Sequence, residues 1–413
     1  MKIKNLPYII TSLALIASIN VAAEISTKSL VEASLRINNN ETDWLKSWLD
    51  KGVGVHRYSD DFQLTLDQVL TEVNVDLSTN FSIISTIQYT PDGDSKLGFN
   101  EAYINYQPLS QGLKHQVKVG YFYPQFSLEN SDIGWTSPYT FNFSAINSWV
   151  GEEIKPLGFE WQFKRPGRKY NSNFSYTGVI SAYVQNDGVA SLLAWRGWAI
   201  HNRQSVVGEK VHFANYFQFQ PVENPNPSYV DINDETDGRV GYYVGGHVQY
   251  QRRTDVRVYY YDNKADPFSI ETDMQYGWRT RFISASFLHK LTPQLRLLGQ
   301  YMSGDTEMGD RQNGVHNDFS SWYLLAHYKL NKHRASIRYD KFSVTDNDVT
   351  PYDPNESKGN SVTASYRYQA SKSLQIGAEI TITKSENKNR ELWSGWQAKQ
   401  DQASYSFTTQ YRF

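Results

Sequence analysis

Four carboxylates crowd one segment of the chain. Glu129, Asp132, Glu152 and Glu153 lie between Lys118 and Lys155, with no other Lys or Arg in that interval. The segment is also rich in aromatic and small residues, as in Trp135-Thr-Ser-Pro-Tyr139 and Ser144-Ala-Ile-Asn-Ser-Trp149, which is poor composition for a solvated loop tip. A second set of charges has the opposite sign. Arg257, Arg296, Arg334, Arg338 and Arg367 each alternate with apolar or aromatic residues: Val256, Val258 and Tyr260 around the first, Leu295, Leu297 and Tyr301 around the second, Ala335, Ile337 and Tyr339 beside the next two, and Val362, Ala364, Tyr366 and Tyr368 beside the last. Carboxylates facing guanidinium groups across a narrow gap would set a transverse field. Such a field orients polar solutes, disfavours apolar ones and tunes ion preference. Gly-rich phosphate loops, paired metal ligands and His clusters are absent from the sequence, so it implies no cofactor and no metal.

These charges need strands to carry them. A period of two places alternate side chains on opposite faces. If one face meets lipid, each charge there near mid-membrane costs about 2–4 kcal/mol, which turns the arginines inward. The C-terminus repeats the pattern: Ala403, Tyr405, Phe407, Thr409, Tyr411 and Phe413 form a mostly apolar face, and Ser404, Ser406, Thr408, Gln410 and Arg412 a polar one. The alternation predicts strands near 62–78, 81–90, 97–107, 114–123, 155–164, 172–184, 190–200, 211–220, 239–251, 254–263, 278–290, 293–302, 318–330, 333–344, 360–370, 372–384 and 401–413. Short turns, such as Gln251-Arg-Arg253 and Asn331-Lys332, alternate with long polar loops. One more strand, in Ser29 to Ile37 or Gly52 to Tyr58, brings both ends to the same side. The expectation is an all-β transmembrane antiparallel barrel of 18 strands. Sixteen is the alternative if 190–200 and one neighbour do not span. A barrel of this size encloses water. The longest connection, Pro124 to Ile154, becomes the third external loop, expected to fold inward. Trp44, Leu45, Trp48 and Leu49 share one face of a short helix or capping turn ahead of residue 62.

Composition bears on the compartment. Lys2 and Lys4, the apolar run Tyr8 to Ile19, and Val21-Ala22-Ala23 read as a signal peptide cleaved before Glu24. The division expected is 1–23 signal peptide, 24–61 an N-terminal segment with the first strand, and 62–413 the barrel. Beyond residue 23 no apolar run can cross a bilayer as a helix, and mean hydropathy is low at −0.58. Aromatics reach 15%, with 29 Tyr and 11 Trp, which suits interfacial girdles, and there is no Cys to make disulfides or carry a lipid. A net charge of −2 offers no footprint for nucleic acid.

The terminal strand ending in Phe413 resembles the last strand of outer-membrane barrels, a resemblance that implies recognition by the barrel assembly machinery. In layout the mature chain is similar to Gram-negative porins. Loop segments Phe126-Ser-Leu-Glu-Asn130, Trp135-Thr-Ser-Pro138 and Ile146 to Glu153 resemble those of porin-like proteins. A weaker likeness is to the phosphate-selective porin group, whose lysine-rich path this acidic loop does not match. The resemblance implies a passive aqueous channel in the cell outer membrane for small hydrophilic solutes or ions, lipid and lipopolysaccharide as surroundings, and leaves a homotrimer open. Glu129, Asp132, Glu152 and Glu153 would form the acidic side of a constriction, and the five arginines its basic wall. The rivals are a closed structural or adhesive barrel and an outer-membrane hydrolase. For the latter, inward His247 and His327 have no spacing to a nucleophile, and the reading is not an enzyme.

Overall fold

The computed structural model describes residues 24–40, 42, 45–213, 228–350, 353–392 and 396–413. The expected signal peptide and Trp44 lie outside them. Among these residues sixteen antiparallel strands close into a barrel. In chain order they are β1 (Glu24–Asn40), β2 (Phe62–Asp76), β3 (Phe81–Tyr89), β4 (Leu97–Tyr106), β5 (Lys114–Tyr121), β6 (Leu157–Arg165) and β7 (Phe174–Val184). After a small separate pair, β8 (Lys210–His212) and β9 (Tyr229–Asp231), follow β10 (Gly241–Tyr250), β11 (Thr254–Asp262), β12 (Arg279–Lys290), β13 (Leu295–Met308), β14 (Val315–Leu330), β15 (His333–Asp346), β16 (Ser357–Gln369), β17 (Leu374–Asn387) and β18 (Lys399–Arg412). The sheet closes where β1 meets β18, from Leu30 opposite Arg412 to Asn40 opposite Gln402, so neither strand is left with an open edge.

The expected count of 18 is therefore corrected to 16. Residues 190–200 do not span: Ser191–Arg196 form a helix, α2, ended by Gly197 at φ 78°. At a positive φ, which glycine adopts without steric cost, the chain turns away from the helix. Of 211–220, the described residues 211–213 contribute only to the β8–β9 pair, and the remainder lies outside the described set. β7 instead pairs directly with β10. Of the two first-strand candidates, the segment holding Ser29 to Ile37 spans, while 52–58 is loop. The turn expected near Trp48 is a single 3-10 turn, Trp48–Asp50.

Alternation sets the two faces. Leu64, Ile104, Ile283, Leu324, Ile337, Ile380 and Phe407 all lie exposed on the outside. So large an apolar belt is not a soluble protein's surface, and it fits lipid. No described helix is long and apolar enough to cross a membrane. Short turns gather at one rim. At the other are long connections, including loop 1 (41–61), loop 2 (90–96), loop 3 (122–156) with helix α1 (Ala145–Glu153), and loop 4 (185–240) with α2, β8 and β9.

Candidate functional site

The lumen has two unlike halves. Over β7 and β10 to β15 the inward faces include large aromatic side chains, Tyr183, Tyr243, Tyr261, Phe282, Phe319 and Phe342, and loop residues Phe126, Ile146, Trp149 and Trp198 pack on them as an apolar core. Trp149 meets Trp198, Phe282 and Phe319 with ring centroids 5.7, 5.5 and 5.3 Å apart. Over β16 to β18 and β1 the inward faces are Ser, Thr, Gln, Asn and charged residues, for example Thr363, Thr381, Gln402 and Arg36. Two gaps open onto polar side chains. One, about 30 Å³, is lined by Arg36, His56, Asn202, Glu379, Ser404 and Ser406, enough for a few waters. The other, about 460 Å³, opens at the short-turn rim beside Asn74, Asp76, Ser82, Asn105 and Lys114.

Loop 3 crosses the lumen and is tied to the far wall at Arg338. The guanidinium reaches Glu129 at 2.7 Å and Asp340 at 2.7 Å, with all three side chains fully buried, and it also donates to the backbone oxygens of Asn142 and Phe143. Asp340 accepts from the first N–H of α1, Ala145, at 3.1 Å, and Ser144 Oγ caps Asn147. A carboxylate at a helix N-terminus is favourable, so the wall both anchors α1 and fixes where it begins. Glu379 on β17 takes the N–H groups of Phe141 and Asn142. The loop tip, Ile133, fits between inward Leu30 and Leu70.

Glu152 joins three loops. It accepts from Trp48 Nε1 of loop 1 at 2.7 Å and pairs with Arg196 of loop 4 at 2.8 Å, while Arg196 lies 4.3 Å over the Trp48 ring. Burial opposes its charge, but Arg196 and His201 hold its carboxyl below the usual range. Glu153 makes no ion pair among the described residues and feels Arg196 only at a distance. Burial first, and then neighbouring Glu152, push it up to about 8. Lys155, buried at the same joint, is pulled down to about 7 by desolvation.

The other expected site residues are placed as follows. Asp132 caps the 3-10 turn Ile133–Trp135 and pairs with Arg412 at 2.7 Å, each about a third exposed. Arg257 donates to the carbonyls of Gln125 and Ser127, both at 3.1 Å. Arg367 stacks 4.0 Å over Phe141. Arg334 lies directly across from Arg367, and Arg296 across from His327. Thus Arg338 and Glu129 meet directly instead of across a gap, and Glu152 and Glu153 face other loops. Asp340, Glu379 and Arg36 were not singled out from the sequence, although alternation alone would have set Asp340 on the face of Arg338.

Inward His327 does meet a hydroxyl. Its Nδ1 lies 2.9 Å from Ser336 Oγ, but that hydroxyl donates to the carbonyl of Tyr139 at 2.8 Å, so the ring is the donor toward Ser336. Among the described residues no carboxylate is bonded to His327, as a base poised for nucleophilic catalysis would need. His247 bonds Tyr259 at 2.5 Å.

No family model and no curated protein matches this sequence. Solved structures do. The outer membrane channel DcaP of Acinetobacter baumannii superposes with a TM-score of 0.57 at 11% identity, over 95% of this chain and 97% of that one. OmpT, an outer membrane protein of Vibrio cholerae, folded in vitro and in trimer form, gives 0.54 at 9% identity over 95% and 100%. A loop L8 deletion of the same protein gives 0.54 at 8% over 95% and 100%. The likeness is one of fold: this chain has the closed antiparallel barrel of those outer-membrane proteins.

Proposed function

We propose that the chain is a porin-like channel of the outer membrane, through which small hydrophilic solutes pass along the polar arc of the lumen while loops 1, 3 and 4 fill the rest. The observation that carries this reading is the division of the interior, with loops packed on aromatic side chains along one wall and a cavity lined by polar side chains along the other. A closed structural barrel would have no need of a polar arc. The apolar belt outside and the shared fold with outer-membrane proteins support the location. In this reading Glu129, Glu152, Arg257 and Arg338 hold the constriction in shape, Glu153 tunes its pH dependence, and Asp132, Arg296, Arg334 and Arg367 border the path. Recording the refolded chain in planar bilayers tests it. Discrete, small conductance steps are expected, whereas insertion without steps would favour the structural or adhesive alternative. Assembly as a trimer is part of the proposal, checked by the mass of the detergent-solubilised species.

A further inference from the structure

We propose that the short-turn side of the lumen holds a site for small oxyanions, carboxylate or phosphate, formed by Arg334 and Arg367 with Arg296 and Arg412 beside them. The inference deepens the channel reading, on which it depends for how a solute arrives.

Register supplies the first argument. Arg334 is the direct cross-strand partner of Arg367 on one side and of Lys329 on the other, so three cations occupy one inward row across β14, β15 and β16. Like charges set directly opposite each other repel. Arg334 also feels the charges of Arg296 and Arg412. The counter-charge the protein supplies comes without direct pairing: Glu379 and Glu32 act on Arg367, and Asp132 on Arg334, at a distance. Among the described residues, Arg296, Lys329, Arg334 and Arg367 make no ion pair, and the acids within reach are engaged elsewhere: Asp132 with Arg412, Glu379 with two backbone N–H groups, and Glu32 with the amides of Asn202 and Gln410.

The second argument is independent. Nε of Arg334, Nε of Arg367 and Oγ of Ser365, two positions along β16, are buried with no hydrogen-bond partner, and Arg367 and Ser365 are 1% and 4% exposed. Buried polar groups are rarely left so. Phe141 lies beneath the Arg367 guanidinium, whose terminal nitrogens make only long bonds, 3.3 Å to Gln375 Oε1 and 3.4 Å to the Ser137 carbonyl, and a planar fork of N–H donors matches the oxygens of a carboxylate or phosphate.

The test is calorimetric titration of the detergent-solubilised full chain with sodium acetate and with inorganic phosphate. Saturable binding of either is expected, acetate alone marking a carboxylate site and phosphate alone a phosphate site, and Arg334→Gln with Arg367→Gln should weaken it at least tenfold. A charge-matched variant in the exposed turns, Lys332→Gln with Lys372→Gln, should bind as the native chain does. If the double arginine variant does not fold, Arg334→Lys keeps the charge without the fork and should weaken binding several-fold. No saturation, equal affinity for chloride, or native affinity in the arginine variants would overturn the site. Calorimetry needs no current, so a silent bilayer would defeat the channel reading and leave this one standing.

Discussion

Removing Arg338 should release loop 3. Its guanidinium pairs with two buried carboxylates, Glu129 and Asp340, each at 2.7 Å. Taking one partner out of a buried ion pair costs about 3–5 kcal/mol, chiefly because a charge is left uncompensated; here two would be left. At about 1.4 kcal/mol per decade, that raises the released fraction of the loop by roughly two to three and a half orders of magnitude. Arg338→Gln should therefore give larger and noisier single-channel steps, protease cuts between residues 124 and 154, and loss of the compact gel species at lower temperature. A charge that merely lined the pore would move the reversal potential and nothing else. Combining Arg338→Met with Glu129→Gln and Asp340→Asn removes all three charges of the latch together and should restore much of the docking. If Arg338→Gln keeps the native conductance, noise and protease resistance, the latch is wrong.

Other consequences follow from the same packing. Trp149→Ala empties a site lined by Trp198, Phe282 and Phe319 and should cost about 3–5 kcal/mol of loop docking, read as an earlier thermal transition with the sheet's circular dichroism intact. Ile337→Arg, on the exposed face of β15, should destabilise insertion by about 2–4 kcal/mol in lipid unfolding titrations. Glu153 gives a pH signature. Its folded value of about 8 lies above the ordinary 4.5, so the folded chain holds a proton that the unfolded chain has lost, and its stability falls as pH rises through that window. Glu153→Gln should thus match the native chain below pH 4.5 and gain on it progressively up to pH 8, by about 5 kcal/mol; parallel curves would exclude this titration.

Most strands of the barrel were legible because an apolar residue recurs at every second position on the outward face. In β18 the apolar set Tyr405, Phe407 and Tyr411 is exposed outside, while Ser406, Thr408 and Gln410 are buried inside. The misread strand, 190–200, shows where that rule stops. Ser191-Leu-Leu-Ala-Trp-Arg196 is a short apolar run, and periodicity cannot separate a buried strand from a buried helix at that length. Its best clue was Gly197, whose φ of 78° ends the helix.

The site was legible by face but not by depth or partner. Arg338 was expected inward, and it is inward. Alternation says nothing about which loop residue arrives opposite it, and loop 3 brings Glu129 from 209 positions away. The dry half of the lumen was hidden for another reason. Tyr243, Tyr259 and Tyr261 are amphipathic, and sequence does not distinguish a tyrosine that borders water from one that packs under Phe126.

The chain has no Cys, so thiol labelling can ask directly where water runs through the barrel. A single Ser404→Cys, beside the polar-side cavity, should react with a small charged thiol reagent and block the single-channel current. Ser286→Cys, buried under Phe126 of loop 3 on the opposite wall, should stay unreactive and leave the current unchanged. Block at 286 with none at 404 would place the path on the wall assigned here to packing and would contradict the account.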